Sequence, residues 1–157
     1  MNYVIIGNST AAVGCIEQIR KTDQKGKITV ISDEPYHTYG RPLISYYLLG
    51  RVDAAHMNYR PADFYEKNGV KTLLGVRAEK IDPAAKKVFL QGGKSVPYDK
   101  LLVATGSRPF VPPMDGYDTV KEKFTFMTFA DALALEKALS PEKDVLIVGA
   151  GLTGLKC

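Results

Sequence analysis

Residues 4–15 read VIIGNSTAAVGC, and residues 146–157 read LIVGAGLTGLKC. The second stretch repeats the first at a constant offset of 142 (149 − 7 and 157 − 15). Gly7 pairs with Gly149, Ser9 with Gly151, Ala12 with Gly154 and Cys15 with Cys157. Each copy is a short apolar run that breaks at a glycine and reopens as a helix start. The later turn is G-x-G-x-x-G. Gly149 permits the tight turn, Gly151 lets a backbone approach a pyrophosphate, and Gly154 lets helix and strand pack closely. The helix N-terminus behind it supplies unpaired N–H donors and a partial positive charge. The earlier turn is degenerate, G-x-S-x-x-A, but Ser9 and Ala12 are still small. An acidic residue about 20 positions further on is needed to hold ribose hydroxyls. Asp33 stands 21 residues after Ala12 (33 − 12), with Glu34 beside it. Any βαβ unit packs small residues at such a turn. Repeat, acidic pair and intervening strands together favour two nucleotide sites.

Outward from the first turn, YVII at 3–6 is a buried strand and TAAVGCIEQIRK at 10–21 a helix with Val13, Ile16 and Ile19 on one stripe. KITVI at 27–31 is a second strand, which completes a βαβ unit with a parallel sheet. The loop PYHTYGRP follows, and Pro42 bars Arg41 from helical geometry. PLISYYLLG at 42–50 and PADFYEKNG at 61–69 read as short helices. From Val70 the period changes. VKTLLG, VRAEKI, KKVFLQ and KSVPY, punctuated by Asp82-Pro83 and Gly92-Gly93, predict an antiparallel meander. KLLVATG at 100–106 predicts a buried strand ending at Gly106. The proline-rich run 107–118 reads as a linker. ADALALEKALS at 130–140 predicts a helix, and DVLIV at 144–148 a buried strand leading into the second turn.

The composition narrows the function classes. In 157 residues, 45% are apolar and 24% charged, which is ordinary for a folded domain and excludes a disordered tail, a collagenous chain or a coiled coil. Two cysteines without a C-x-x-C give no disulfide scaffold and no zinc module, and no metal site is expected. No apolar run reaches the ~18 residues of a membrane span. The start MNYVIIGNST has no basic region followed by a cleavage site, so a cytoplasmic, reduced protein is expected. The 21 basic and 17 acidic residues are interspersed, so nucleic acid is not an expected partner. The net charge of +4 suits an anionic cofactor or an acidic partner.

IIGNSTAAVG, ITVISDEPY, YGRPLISYYL, KLLVATGSRP and LIVGAGLTGL resemble the N-terminal part of FAD-dependent pyridine-nucleotide oxidoreductases. Within them the chain is most similar to the branch of rubredoxin reductase, ferredoxin reductase and the NADH-nitrite-reductase large subunit. The resemblance implies an α/β, FAD/NAD(P)-binding Rossmann-like fold: a parallel sheet with helices plus an antiparallel β-meander, truncated. It implies that residues 1–110 are the first segment of an FAD-binding domain, 111–141 a linker and helix, and 142–157 the start of an NAD(P)H-binding domain. Gly7, Asn8, Ser9, Thr10, Ala11 and Ala12 would line the FAD pyrophosphate. Asp33 and Glu34 would hold the adenosine ribose, Arg41 and Pro42 would contact the cofactor, and Val76 would meet the adenine through its backbone. Ala104, Thr105 and Gly106 would lie against the cofactor. Gly149, Gly151, Leu152, Thr153 and Gly154 would begin the NAD(P)H site.

Two departures from the family pattern matter. Disulfide-reducing relatives carry a redox cysteine near the start of the helix at 42–50, where this chain has Ser45 or its neighbours. No cysteine lies between 16 and 156, so thiol relay chemistry is unsupported. Ferredoxin-reductase relatives often have RPPLSK, whereas this chain has RPLISY, with Tyr46 in the lysine's place. His37 reads as a solvated loop residue, Tyr36, Tyr39, Tyr46 and Tyr47 as packing, and Cys15 as part of the helix core. No acid–base residue is obligatory, because the flavin carries the chemistry. The expected activity is hydride transfer from NAD(P)H to FAD, then electron delivery to a small protein such as rubredoxin or to a nitrite or oxygen centre. The chain reads as part of an enzyme of about 400 residues, two to three domains at typical size. The alternatives are an inactive nucleotide-binding fragment of such an enzyme and a single-site NAD dehydrogenase. The meander, the ATG strand and the second turn argue against the last.

Overall fold

Val4, Ile5 and Ile6 are consecutive apolar residues, and all three are buried. Such a run is stable only in a strand covered on both faces, which a parallel sheet provides. In the computed structural model, which describes residues 1–156, they belong to β1 (Asn2–Ile6). Cys157, the last member of the sequence repeat, lies outside the described residues. The chain forms two compact units, Met1–Tyr39 with Asn58–Gly106, and Gly40–Met57 with the residues from Ser107 onward.

In the first unit, helix α1 (Thr10–Thr22) follows β1 and returns the chain to β2 (Lys27–Ser32). The turn between them is held by Asp23, whose carboxylate accepts the Lys25 and Gly26 N–H groups and the Tyr3 hydroxyl. Those bonds hold its carboxyl below the usual carboxylate range, the two backbone donors contributing most. Helix α3 (Phe64–Lys67) leads into β3 (Val70–Leu74). Strands β4 (Ala78–Asp82), β5 (Lys87–Leu90) and β6 (Ser95–Pro97) follow, and β7 (Lys100–Val103) ends the unit's sheet. The parallel sheet has the order β3-β2-β1-β7, and the antiparallel one β4-β5-β6.

The expected βαβ unit is present with nearly the expected bounds, and so is a meander. It has three strands rather than four. VKTLL leaves it and pairs with β2 in parallel, Ile28 against Val70 through Ser32 against Leu74. A run of five residues is too short for its own pattern to name its partner, and pairing with β2 decides its place. KLLV is half-exposed rather than buried, because β7 is an edge strand.

Two apolar clusters hold the unit together. Ile5, Ala12, Val13, Ile16, Ile28, Val30 and Phe64 fill the space between α1, the sheet and α3, and Cys15 packs against them. Val4, Ile6, Ile31, Val88 and Leu90 join the other sheet face to the meander. Full burial of each such side chain is worth ~1.5–3 kcal/mol. Arg20 and Arg60 tie α1 to the α3 region. Arg20 Nε donates to the Asn68 carbonyl at 2.6 Å, and Arg60 Nε to Glu17 Oε1 at 2.8 Å.

In the second unit a 3-10 turn (Arg41–Leu43) runs into α2 (Ile44–Leu48), so Arg41 opens a helical turn, contrary to the expectation that Pro42 bars it from one. Helix α4 (Phe129–Ala138) opens on a capping box. Thr128 Oγ1 accepts the Asp131 N–H at 3.1 Å while Asp131 Oδ2 accepts the Thr128 N–H at 2.9 Å. The Tyr47 ring meets Phe129 edge-on at 5.0 Å, and its hydroxyl donates to Glu136. Helix α5 (Leu152–Lys156) follows the second glycine turn. The buried strand expected at 144–148 is not formed. No described strand pairs with it, and Leu146 is 89% exposed. An apolar run becomes a buried strand only when ladder partners satisfy its backbone, and none of the described residues supplies them.

Ala12 is fully buried on the side of α1 that packs against the sheet. Ala12→Leu overpacks that contact and lowers stability by ~1–3 kcal/mol. Urea unfolding of the variant checks this, and an unchanged midpoint would contradict the packing described.

Candidate functional site

The strand order fixes where a ligand can bind. From β1 the chain moves outward through β2 to β3, then crosses to the other side of β1 as β7. That reversal is a topological switch point, and open α/β sheets bind ligands in the crevice at the carboxyl ends of the strands there. The residues at that end of β1 and β7 are Gly7 and Ala104. Gly7 N–H donates to the Ile31 carbonyl at 2.8 Å, and Ala104 N–H to the Ile6 carbonyl at 2.7 Å. The backbone at Gly7 has φ +115°, and a Cβ there would run into the Ala104 carbonyl. Two residues singled out from opposite ends of the first unit are thus brought into contact.

Beyond Gly7, the chain enters α1 through Ser9, the N-cap residue in extended conformation (φ −125°). Its side chain makes no capping bond, and the first turn of α1 has no acidic residue. The leading N–H groups at Thr10, Ala11 and Ala12 therefore point out of an uncapped helix end, which suits an anion. Thr10 and Ala11 are exposed, Ser9 is half-buried, and Ala12 is buried against the core.

The acidic pair at the end of β2 splits into two environments. Glu34 accepts the Tyr39 hydroxyl at 2.6 Å. Asp33 is exposed, and its carboxylate has no described partner. The neighbouring wall is backbone. Gly75 N–H donates to the Glu34 carbonyl at 3.2 Å, and Val76 N–H to the Ser32 carbonyl at 2.8 Å. Val76 thus has its N–H engaged, while none of the described hydrogen bonds uses its carbonyl. Thr105 and Gly106 are exposed beyond Ala104.

A dinucleotide cofactor fits these residues. The close backbone approach at Gly7, the uncapped α1 N-terminus and the unpaired Asp33 supply what a pyrophosphate and a ribose need. Among the described residues no cluster of three His, Cys, Asp or Glu side chains is placed to hold a metal. No helix among them is long and apolar enough to cross a membrane.

In the second unit Arg41 Nη1 donates to the Met127 carbonyl at 3.1 Å, just ahead of the α4 cap. Pro42 is exposed at the start of the 3-10 turn. Ser45 is buried, and its hydroxyl donates to the Pro42 carbonyl at 3.2 Å. Burial pushes the Cys15 thiol up, so it is not a reactive thiolate. The second glycine turn repeats the first in backbone form: Gly149 has φ +123°, and a Cβ at Gly154 would run into the Gly149 carbonyl. Gly151, Leu152 and Thr153 are exposed, and Gly154 is half-buried.

Sequence reasoning missed one set of residues. His37 is not a solvated loop residue. It is half-buried against Tyr65, with 4.7 Å between ring centroids, and its Nδ1 donates to the Thr38 carbonyl at 3.1 Å. Tyr65 lies 57 positions from Asn8 and its hydroxyl bonds to it. No local pattern announces such a pair. The tyrosines at 39 and 47 pack as expected, while Tyr46 is exposed with Lys156 Nζ 5.6 Å from its ring centre.

A glycine turn at the switch point of a parallel sheet, repeated later in the chain, defines a dinucleotide-binding α/β protein. The family model described as pyridine nucleotide-disulphide oxidoreductase matches residues 1–157. The chain belongs to that family. It is 38% identical over 158 residues to the nitrite reductase (NADH) large subunit of Escherichia coli (strain K12), covering 99% of this chain and 18% of that one. It is 34% identical over 153 residues to the NADH-dependent phenylglyoxylate dehydrogenase subunit epsilon of Aromatoleum evansii, covering 98% and 36%. The crystal structure of NADH:rubredoxin oxidoreductase from Clostridium acetobutylicum superposes with a TM-score of 0.84 at 26% identity, covering 99% of this chain and 40% of that one. The chain thus spans well under half the length of each of these relatives.

Gly7→Ala places a side chain at positive φ and against the Ala104 carbonyl. It lowers stability by at least ~1–3 kcal/mol. Gly14→Ala, on the open face of α1 with nothing within 4 Å, stabilises by up to ~1 kcal/mol. Chemical denaturation of both variants checks the contrast. Equal effects would contradict the assigned close approach.

Proposed function

We propose that this chain is the dinucleotide-binding portion of an FAD-dependent NAD(P)H oxidoreductase. The observation that carries the reading is the Gly7–Ala104 approach at the switch point beneath an uncapped helix end. Residues 7–12 bind the FAD pyrophosphate through backbone N–H groups. Asp33 holds the adenosine ribose, a role its unpaired carboxylate supports better than that of Glu34, which Tyr39 engages. The Val76 carbonyl meets the adenine edge, and Ala104, Thr105 and Gly106 line the cofactor's flank. Arg41 and Pro42 contact the cofactor, and Gly149, Gly151, Leu152, Thr153 and Gly154 begin the NAD(P)H site. Residues 1–110 then serve FAD, 111–141 connect, and 142–157 open the NAD(P)H domain.

When bound, FAD supplies the chemistry, accepting hydride from NAD(P)H and passing electrons onward. The protein binds, orients and excludes water, so no side chain is assigned an acid–base role. We place a small electron-transfer protein such as rubredoxin, or a nitrite or oxygen centre, as the acceptor, in the cytoplasm. The names of the relatives support that range, since they include a rubredoxin oxidoreductase and a nitrite reductase subunit. By itself the chain is expected to bind FAD weakly and to oxidise no NAD(P)H, because residues 144–148 lack strand partners among the described residues.

Mass spectrometry of denatured protein identifies a bound cofactor. FAD supports the proposal, and NAD alone would favour a single-site dehydrogenase. Arg41→Ala is expected to weaken FAD binding ten- to hundredfold in the complete enzyme, the usual cost of a charge-assisted contact of ~1.5–3 kcal/mol. Unchanged affinity in a titration of apoprotein removes Arg41 from the site. Stopped-flow mixing of the FAD-loaded chain with NADH tests the activity. Rapid loss of flavin absorbance would show that these residues suffice for turnover.

A further inference from the structure

Asn8 stands in the middle of the glycine turn, next to Gly7 and Ser9. Its Oδ1 accepts the Tyr65 hydroxyl at 2.6 Å, and its Nδ2 donates to the Tyr36 carbonyl at 3.2 Å. The Tyr65 oxygen in turn accepts the Thr38 N–H at 3.1 Å. Every proton in this chain of bonds is assigned without choice. A backbone N–H only donates, so the Tyr65 oxygen faces Thr38 as acceptor and sends its single hydrogen to Asn8. Asn8 must then present its oxygen to Tyr65, which turns its amide nitrogen toward the Tyr36 carbonyl. Burial pushes the Tyr65 phenol up, which keeps it protonated and able to donate.

Around these bonds lie two buried groups without a partner and one carbonyl that is already engaged. Thr38 is fully buried, and its Oγ1 has no partner. The Thr38 carbonyl already accepts the Tyr59 N–H at 2.9 Å and His37 Nδ1. The His37 ring covers Tyr65, and its Nε2 is likewise buried without a partner. Three segments distant in sequence meet here: the glycine turn, the loop after Asp33 and helix α3. Asn8 bonds the loop directly at Tyr36, and the Tyr65 oxygen bonds both the turn and the loop to helix α3.

We infer that Tyr65 is a positioning residue for the nucleotide site, holding the glycine turn and the Tyr36–Thr38 loop at a fixed spacing through Asn8. The inference rests on the nucleotide-binding reading above for its purpose, though not for its geometry. Removing the hydroxyl strands the Thr38 N–H and Asn8 Oδ1 together, and a buried polar group left unpaired is costly. The turn then loses its link to helix α3 and Asn8 keeps its bond to the Tyr36 carbonyl, while the apolar contacts of the ring remain.

The test compares wild type, Tyr65→Phe and Ile16→Val. The last thins the same core without touching the network. Amide hydrogen exchange of the ligand-free chain is followed by NMR. Tyr65→Phe is expected to speed exchange at Thr38 and across Asn8–Ala12 at least tenfold, with the β2 amides little changed. Ile16→Val is not expected to single out those positions. Titration with FAD is the second readout, with Kd raised about tenfold in Tyr65→Phe and unchanged in Ile16→Val. Unchanged exchange at the turn overturns the inference, as does an equal rise in both variants. Faster exchange with unaltered FAD affinity also overturns it. A wild-type chain that binds no FAD overturns the proposed function instead, and the exchange measurement alone then decides the role of Tyr65.

Discussion

The backbone of β7 runs so close to β1 that residue 7 has no room for a side chain. Much else depends on that approach. Pairing of Tyr3 through Ile6 with Lys100 through Val103 makes β1 an interior strand. An interior β1 can be apolar at three successive positions, and its carboxyl end becomes the place where the sheet changes direction. The same approach turns the chain abruptly at Gly7, which aims α1 back across the sheet with its N-terminus at the crevice. Fold and site are thus consequences of one steric fact, and Ala12 completes it by letting α1 lie flat on the strands.

The site is made chiefly of backbone. Its leading donors are helix N–H groups, and one wall is the Gly75–Val76 segment, pinned by two hydrogen bonds to Glu34 and to Ser32 at the end of β2. A site of this kind tolerates a wide choice of side chains, provided they are small, and both G-x-S-x-x-A and the later G-x-G-x-x-G meet that condition. Side chains enter as supports. Tyr39 occupies Glu34 and thereby separates two adjacent acids into one engaged and one available.

Much of this was legible in the residues. The βαβ unit is written in local patterns: an apolar run, a glycine, a helical stripe and a second apolar run. The glycine turns are legible because steric demands select residue type directly. What was not legible depends on partners far along the chain. VKTLL reads equally well in either sheet, and only β2 decides its place. DVLIV has the composition of a buried strand, yet composition does not supply a neighbour. His37 looked solvated because its cover, Tyr65, comes from a helix 28 residues later (65 − 37). The Asn8 tether was hidden for the same reason. Residue types at a turn are dictated locally, whereas hydrogen bonds between segments are dictated by the finished fold.

The exposed run Val145–Val148 has a consequence for how this polypeptide behaves in bulk. Four consecutive β-branched or leucine side chains stand open to solvent next to backbone groups that no described strand occupies. Such a segment is a template for pairing with the same segment of another molecule. It combines high strand propensity with the absence of proline, and Asp144 is its one adjacent charge, the pattern that drives cross-β stacking. A single lysine within the run would act as a gatekeeper against self-association.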